Sequence, residues 1–126
     1  MYKVDIYSTR DFEFKAKAGN AEFVIDAKGN EFTPPDALLA ALGSCIGVYI
    51  RKYAEGAKIT LNNFTIHLEA EFSKELSISI KHIYVAIDLK TAGLDERRSK
   101  SLLDFIKNCP VHNTLKGNPE IEIELI

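Results

Sequence analysis

Polar and apolar residues alternate along the first part of the chain, through Tyr2-Lys3-Val4-Asp5-Ile6-Tyr7, Asp11-Phe12-Glu13-Phe14-Lys15-Ala16 and Ala21-Glu22-Phe23-Val24-Ile25-Asp26. A period of two places successive side chains on opposite faces of a strand, so three strands are expected here. The Gly19-Asn20 step and the Lys28-Gly29-Asn30 segment tolerate turn geometry, which makes a meander the simplest connection. Thr33-Pro34-Pro35-Asp36 then reads as a helix start. Thr33 is the N-cap, Pro34 occupies the first helical position, and Asp36 reaches back as in a capping box. The helix is expected to run to about Glu55-Gly56. Its Leu38 to Ile50 stretch is apolar on nearly every face, which predicts a buried central helix. That stretch falls short of the roughly 20 apolar residues needed to cross a bilayer.

Strand signals return at Ile59-Thr60-Leu61, at Asn63 to Phe72, at Ser77-Ile78-Ser79-Ile80 and at Ile83 to Leu89. The longer runs predict a hairpin. Asp95 to Lys107 predicts a second helix with Leu102, Phe105 and Ile106 on one stripe, and the same face carried onward points Cys109 inward. Glu120-Ile121-Glu122-Ile123-Glu124-Leu125 predicts a last, exposed strand with its acids in water. The order is βββ, buried helix, ββ, helix, β, an α+β arrangement. No repeat, low-complexity tract or linker divides it, so residues 1–126 are expected to form one domain.

Composition narrows the chemistry. The chain has 126 residues, 46% of them hydrophobic, enough for a real core. A net charge of -2 without a dense Lys/Arg block gives no electrostatic reason to expect nucleic acid or an anionic membrane as partner, and Arg97-Arg98 reads as a solvated helix face. No apolar leader with a small-residue cleavage site opens the sequence, which points to the cytosol. In that compartment a cysteine pair reads as catalytic, redox-sensing or metal-binding before it reads as a structural staple.

There are two cysteines, Cys45 in Leu42-Gly43-Ser44-Cys45-Ile46 and Cys109 in Cys109-Pro110-Val111-His112. By themselves they are a redox pair, a bridge or packing residues. The spacing from Cys109 to His112 suits zinc, yet Cys45 makes only a third ligand and no second compact pair exists, so no metal is expected. His67 and His82 fall in alternating strands and are expected to face solvent. Tyr49 and Tyr53, one helical turn apart, are expected to pack.

Thr33-Pro34-Pro35-Asp36-Ala37-Leu38-Leu39-Ala40-Ala41-Leu42-Gly43-Ser44-Cys45, followed by Cys109-Pro110-Val111-His112-Asn113-Thr114-Leu115, resembles the OsmC/Ohr-like family, and with the strand order the resemblance covers nearly the whole chain. It implies antiparallel sheets wrapped around a long buried central helix in an intertwined homodimer. It also implies a thiol peroxidase that reduces organic hydroperoxides, with no cofactor. In that reading Cys45 is the peroxidatic cysteine, oxidised to a sulfenic acid, Cys109 resolves it as a disulfide, and a dithiol reductant resets the pair. Arg10, matched to an arginine early in the second strand, is the implied activator. Asp36 matches the acid that holds it, where many members carry the longer Glu; it is equally a helix N-terminal acid and nothing more.

A free thiol near pKa 8.5 is only a few per cent ionised at neutral pH, so this chemistry needs a stabilised thiolate. In an unbroken helix from Pro34, Cys45 lies about three turns in, beyond the reach of the helix dipole. A break at Gly43-Ser44 would instead put Cys45 in the first turn of a new segment. A second reading keeps the fold without the enzyme, as a dimer that binds a small apolar ligand or senses redox state. A thiol hydrolase is more remote, because Cys45 has no neighbouring histidine in sequence.

Overall fold

The computed structural model describes residues 1–90 and 93–126 and contains, in chain order, strands β1 (Asp5–Arg10), β2 (Glu13–Ala18) and β3 (Ala21–Asp26), helix α1 (Pro34–Gly56), strands β4 (Thr65–Phe72) and β5 (Ile80–Asp88), and helices α2 (Glu96–Ile106) and α3 (Pro110–Lys116). It is α+β, as expected. Two compact units divide it, residues 1–40 and 41–126.

The first unit is the β1-β2-β3 antiparallel meander. Gly19, with φ of 61°, turns β2 into β3, and Ala18 pairs with Ala21 across it. The β1–β2 turn falls two residues later than the alternation suggests. Asp11 takes φ of 46° and Asp11-Phe12 form the turn, so they do not begin β2, and Arg10 closes β1 opposite Glu13. A short Asx side chain tolerates this left-handed geometry, and the polar alternation running through Asp11 conceals it.

The start of α1 follows its capping signature. Asp36 N–H donates to Thr33 Oγ1 at 3.3 Å, Thr33 N–H donates to Asp36 Oδ2 at 3.0 Å, and Ala37 N–H donates to the Thr33 carbonyl at 3.0 Å. Two amides that the helix start would leave unpaired are thereby satisfied.

The second unit holds the core. Leu42, Ile46 and Ile50 of α1 form a cluster with Leu102 and Cys109, and Ile66, Leu68, Ile83, Val85 and Ile87 of the hairpin pack against it. Burial in α1 follows one stripe, Leu42, Gly43, Ile46, Ile50 and Ala54, while Leu38 and Val48 are exposed. Within one chain the helix is therefore covered on one face, not all round. At 23 residues with a mean hydropathy of 1.2 in its most apolar window, α1 is long and apolar enough to cross a membrane. Its buried stripe instead serves the core. Tyr49 and Tyr53 pack as expected, each with its ring centroid 5.8 Å from that of Phe105.

Three further differences have local causes. Ile59-Thr60-Leu61 is not a strand: the Arg51 guanidinium takes the Leu61 and Asn62 carbonyls at 3.0 Å each and stacks on Phe64, leaving no ladder to join. Residues 77–79 precede β5 without joining it. Glu120 to Leu125 has strand alternation but forms no strand, and among the described residues no segment pairs with it.

Candidate active site

Cys45 is carried by an unbroken α1. No second helical segment starts at Gly43-Ser44, so no helix N-terminus serves the thiol. Gly43 has another reason to be glycine. A Cβ there would lie 2.7 Å from Leu68 Cδ1, so its absence lets α1 approach β4 closely. This close approach falls two positions before Cys45.

Cys109 is fully buried and Cys45 is partly exposed, and both thiols are free. Cys109 leads into a third helix that the stripe through Leu102 does not reveal. Helix α2 stops at Ile106, after an N-cap in which Asp95 Oδ1 accepts from Arg98 N–H at 2.7 Å. The chain then turns, with Cys109 N–H bonded to the Ile106 carbonyl, and restarts as α3. Cys109 is the N-cap of α3, its sulfur accepting from His112 N–H at 3.4 Å, and Pro110 stands in the first turn. The Cys-Pro step thus repeats the logic of Thr33-Pro34, a signal legible in the sequence once Cys is admitted as a cap.

This turn brings the two sulfurs together. Cys45 packs against the buried cluster that contains Cys109. Burial pushes the Cys109 thiol above its ordinary value, and the neighbouring Cys45 thiol pushes the same way, against the opposing amides of His112 and Val111.

Arg10 and Asp36 are not paired. The Arg10 side chain is 80% exposed, with Nε 3.8 Å from Glu13 Oε1. The Asp36 carboxylate is engaged by Thr33, whose backbone and side-chain bonds hold it below the usual carboxylate range. Among the described residues no ion pair joins Arg10 to Asp36. No group of three or more His, Cys, Asp or Glu residues suited to a metal ion occurs among them either. His67 is exposed and 2.8 Å from Glu69. An apolar cleft of about 610 Å³ lies among α1, β5, α2 and α3, with Leu42, Ile46 and Ile106 on its wall.

The meander, long helix, hairpin and two short helices, with paired thiols at the helix and the Cys-Pro turn, place the chain among α+β proteins with a dithiol core. Residues 27–124 match the family described as OsmC-like protein, and the chain belongs to that family. It is 25% identical over 132 residues to a hydroperoxide reductase of Mycoplasma genitalium, covering 98% of this chain and 93% of that one. In structure it is similar to an OsmC-like protein from Mycoplasma pneumoniae, with a TM-score of 0.81 and 23% identity over 94% of this chain and 89% of the other. An organic hydroperoxide resistance protein from Legionella pneumophila shares the fold at a TM-score of 0.67 and 18% identity, covering 94% and 90% of the two chains.

Proposed function

We propose that this protein is a cytosolic thiol peroxidase that reduces organic hydroperoxides. The observation that carries the reading is the packing of Cys45 against the buried cluster that holds Cys109, which sets the two free thiols beside each other. The Cys45 thiolate attacks the terminal peroxide oxygen, the O–O bond breaks, and the alkoxide leaves with a proton as the alcohol. Cys45 becomes a sulfenic acid, two electrons having passed to the peroxide. Cys109 then attacks the Cys45 sulfur, an S–S bond forms, and water leaves. A dithiol reductant restores both thiols and is itself oxidised to a disulfide.

Roles follow from burial. Cys45, partly exposed, is the sulfur a substrate can reach, and Cys109, buried and protonated, resolves it. Arg10 is the activator in this reading, its exposed guanidinium at a long 3.8 Å from Glu13. Asp36 supports α1 as a capping residue, and its bonds to Thr33 favour that role over an arginine clamp. A homodimer belongs to the same reading: Leu38 and Val48 on α1, with Val4, Ile6 and Tyr7 near β1, are exposed apolar surface of the kind that a second copy covers. The name of the Mycoplasma genitalium relative supports the substrate class.

The test is thiol loss and intact mass after one equivalent of cumene hydroperoxide, in wild type, Cys45→Ser and Cys109→Ser, with hydrogen peroxide in parallel. The expected result is rapid loss of both thiols and of two hydrogens in wild type, a trappable sulfenic acid in Cys109→Ser, and no reaction in Cys45→Ser. Slow oxidation of all three would overturn the enzyme and leave a domain that binds or senses.

A further inference from the structure

Helix α3 leans on a single sulfur. At seven residues it is well below the roughly 12–15 at which an isolated helix becomes even marginally stable in water, so packing and capping must hold it. Packing supplies little: none of its residues is buried, and while Val111 packs against the core cluster, Leu115 is exposed. The helix start is held by Cys109, whose sulfur accepts from His112 N–H at 3.4 Å and whose carbonyl accepts from Asn113 N–H at 3.0 Å.

The same sulfur is the one that the proposed reaction joins to Cys45. A dithiol that reduces the resulting disulfide must bring a thiolate onto one of its two sulfurs. Attack on Cys45, which is partly exposed, would expel Cys109, and burial raises the Cys109 thiol, which makes it a poor leaving group. Attack on Cys109 avoids that cost, but Cys109 is 0% exposed.

We infer that α3 is a latch released by oxidation: joining Cys109 to Cys45 takes its sulfur out of the cap, α3 frays, and the Cys109 sulfur opens to the dithiol. In the disulfide that sulfur is placed by its bond to Cys45 and carries no charge, so it no longer serves His112 N–H. The reductant thiolate then bonds to the Cys109 sulfur while the S–S bond breaks and Cys45 leaves as a thiolate. The second thiol of the reductant gives up its proton and closes the reductant's own disulfide, and Cys109 departs, takes a proton and caps α3 again. The inference rests on the disulfide proposed above and adds how it is reopened.

The experiment measures backbone hydrogen exchange of the full-length protein with both thiols reduced and after oxidation by diamide, which takes two hydrogens from the pair without any peroxide. Loss of the cap is expected to speed exchange of amides 112–117 about tenfold in the oxidised protein while α1 and α2 stay unchanged. Cys109→Ala should show the fast exchange without oxidant, and Cys109→Ser, whose hydroxyl also caps, should show the slow exchange with or without it. Brief treatment of the oxidised protein with 2-mercaptoethanol, quenched with iodoacetamide, should leave the monothiol on Cys109 and the alkyl group on Cys45. Equal exchange of 112–117 in the two states of the wild type, or the monothiol found on Cys45, would overturn the inference. No intramolecular disulfide by intact mass would overturn the inference together with the resolving step. Loosening of α3 in a protein that fails to consume cumene hydroperoxide would overturn the peroxidase and leave the latch standing.

Discussion

Cys109 caps α3 by accepting from His112 N–H at 3.4 Å, and it is buried in the cluster against which Cys45 of α1 packs. A cap residue cannot drift without fraying the turn behind it. The bond that starts α3 therefore also holds the Cys109 sulfur in the core beside Cys45.

Cys109 is raised by burial first and by the neighbouring Cys45 thiol second, so its titration in wild type is expected above the ordinary thiol value. Thiolate absorbance in the far ultraviolet, followed against pH in wild type and in Cys45→Ser, checks it. In Cys45→Ser the remaining titration should move down toward, but stay above, the ordinary thiol value, because burial, the largest cause, persists. A group raised in the folded state contributes stability that is fully present below its unfolded value and lost as pH rises through the folded one. Unfolding midpoints should accordingly fall on the alkaline side, and fall less in Cys109→Ala.

Asp36 works in the opposite direction. Its folded value is depressed by the bonds from Thr33, so its contribution is present above the ordinary 3.8 and lost as pH falls through the folded value. Asp36→Asn should melt below wild type at neutral pH, and the two should converge well below pH 3.8. Thr33→Ala, which removes the other half of the box, is expected to cost about 0.5–2 kcal/mol in denaturant unfolding.

Ile50 is fully buried in the α1 core cluster. Ile50→Ala should destabilise the protein by about 2–5 kcal/mol, through lost transfer energy and the cavity left behind. Val48→Ala, on the exposed face of the same helix, should cost well under that in a single chain. A comparable loss at Val48 that depends on protein concentration would mark that face as buried between copies.

Arg10 separates an activator from a surface residue. Arg10→Ala should slow cumene hydroperoxide oxidation of Cys45 by at least about tenfold while leaving the unfolding midpoint within about 0.5 kcal/mol of wild type, since exposed pairs such as Arg10–Glu13 contribute little. Lys in its place should recover part of the rate by charge but not the planar fork. An unchanged rate in Arg10→Ala would remove the residue from the mechanism.

Much of this molecule was legible in the chain. The capping box at Thr33 and Asp36, the meander, the α1 limits and the β4–β5 hairpin follow from local chemistry, in which neighbours in sequence satisfy one another's backbone groups. The family resemblance rested on the same local strings around Cys45 and Cys109. What the sequence concealed is non-local. Gly43 reads as a helix break, and only the 2.7 Å approach of Leu68 shows it as the place where helix and sheet meet. Leu61 has a strand's character, but Arg51 takes its carbonyl. The Glu120 to Leu125 alternation has the character of a strand, yet a strand exists only where another supplies its hydrogen bonds, and among the described residues none does. Periodicity fixes what each segment is able to become, because it depends on residues a few positions apart. The meeting of Cys45 with Cys109 depends on the packing of α1, α2 and the α3 turn, which no local pattern encodes.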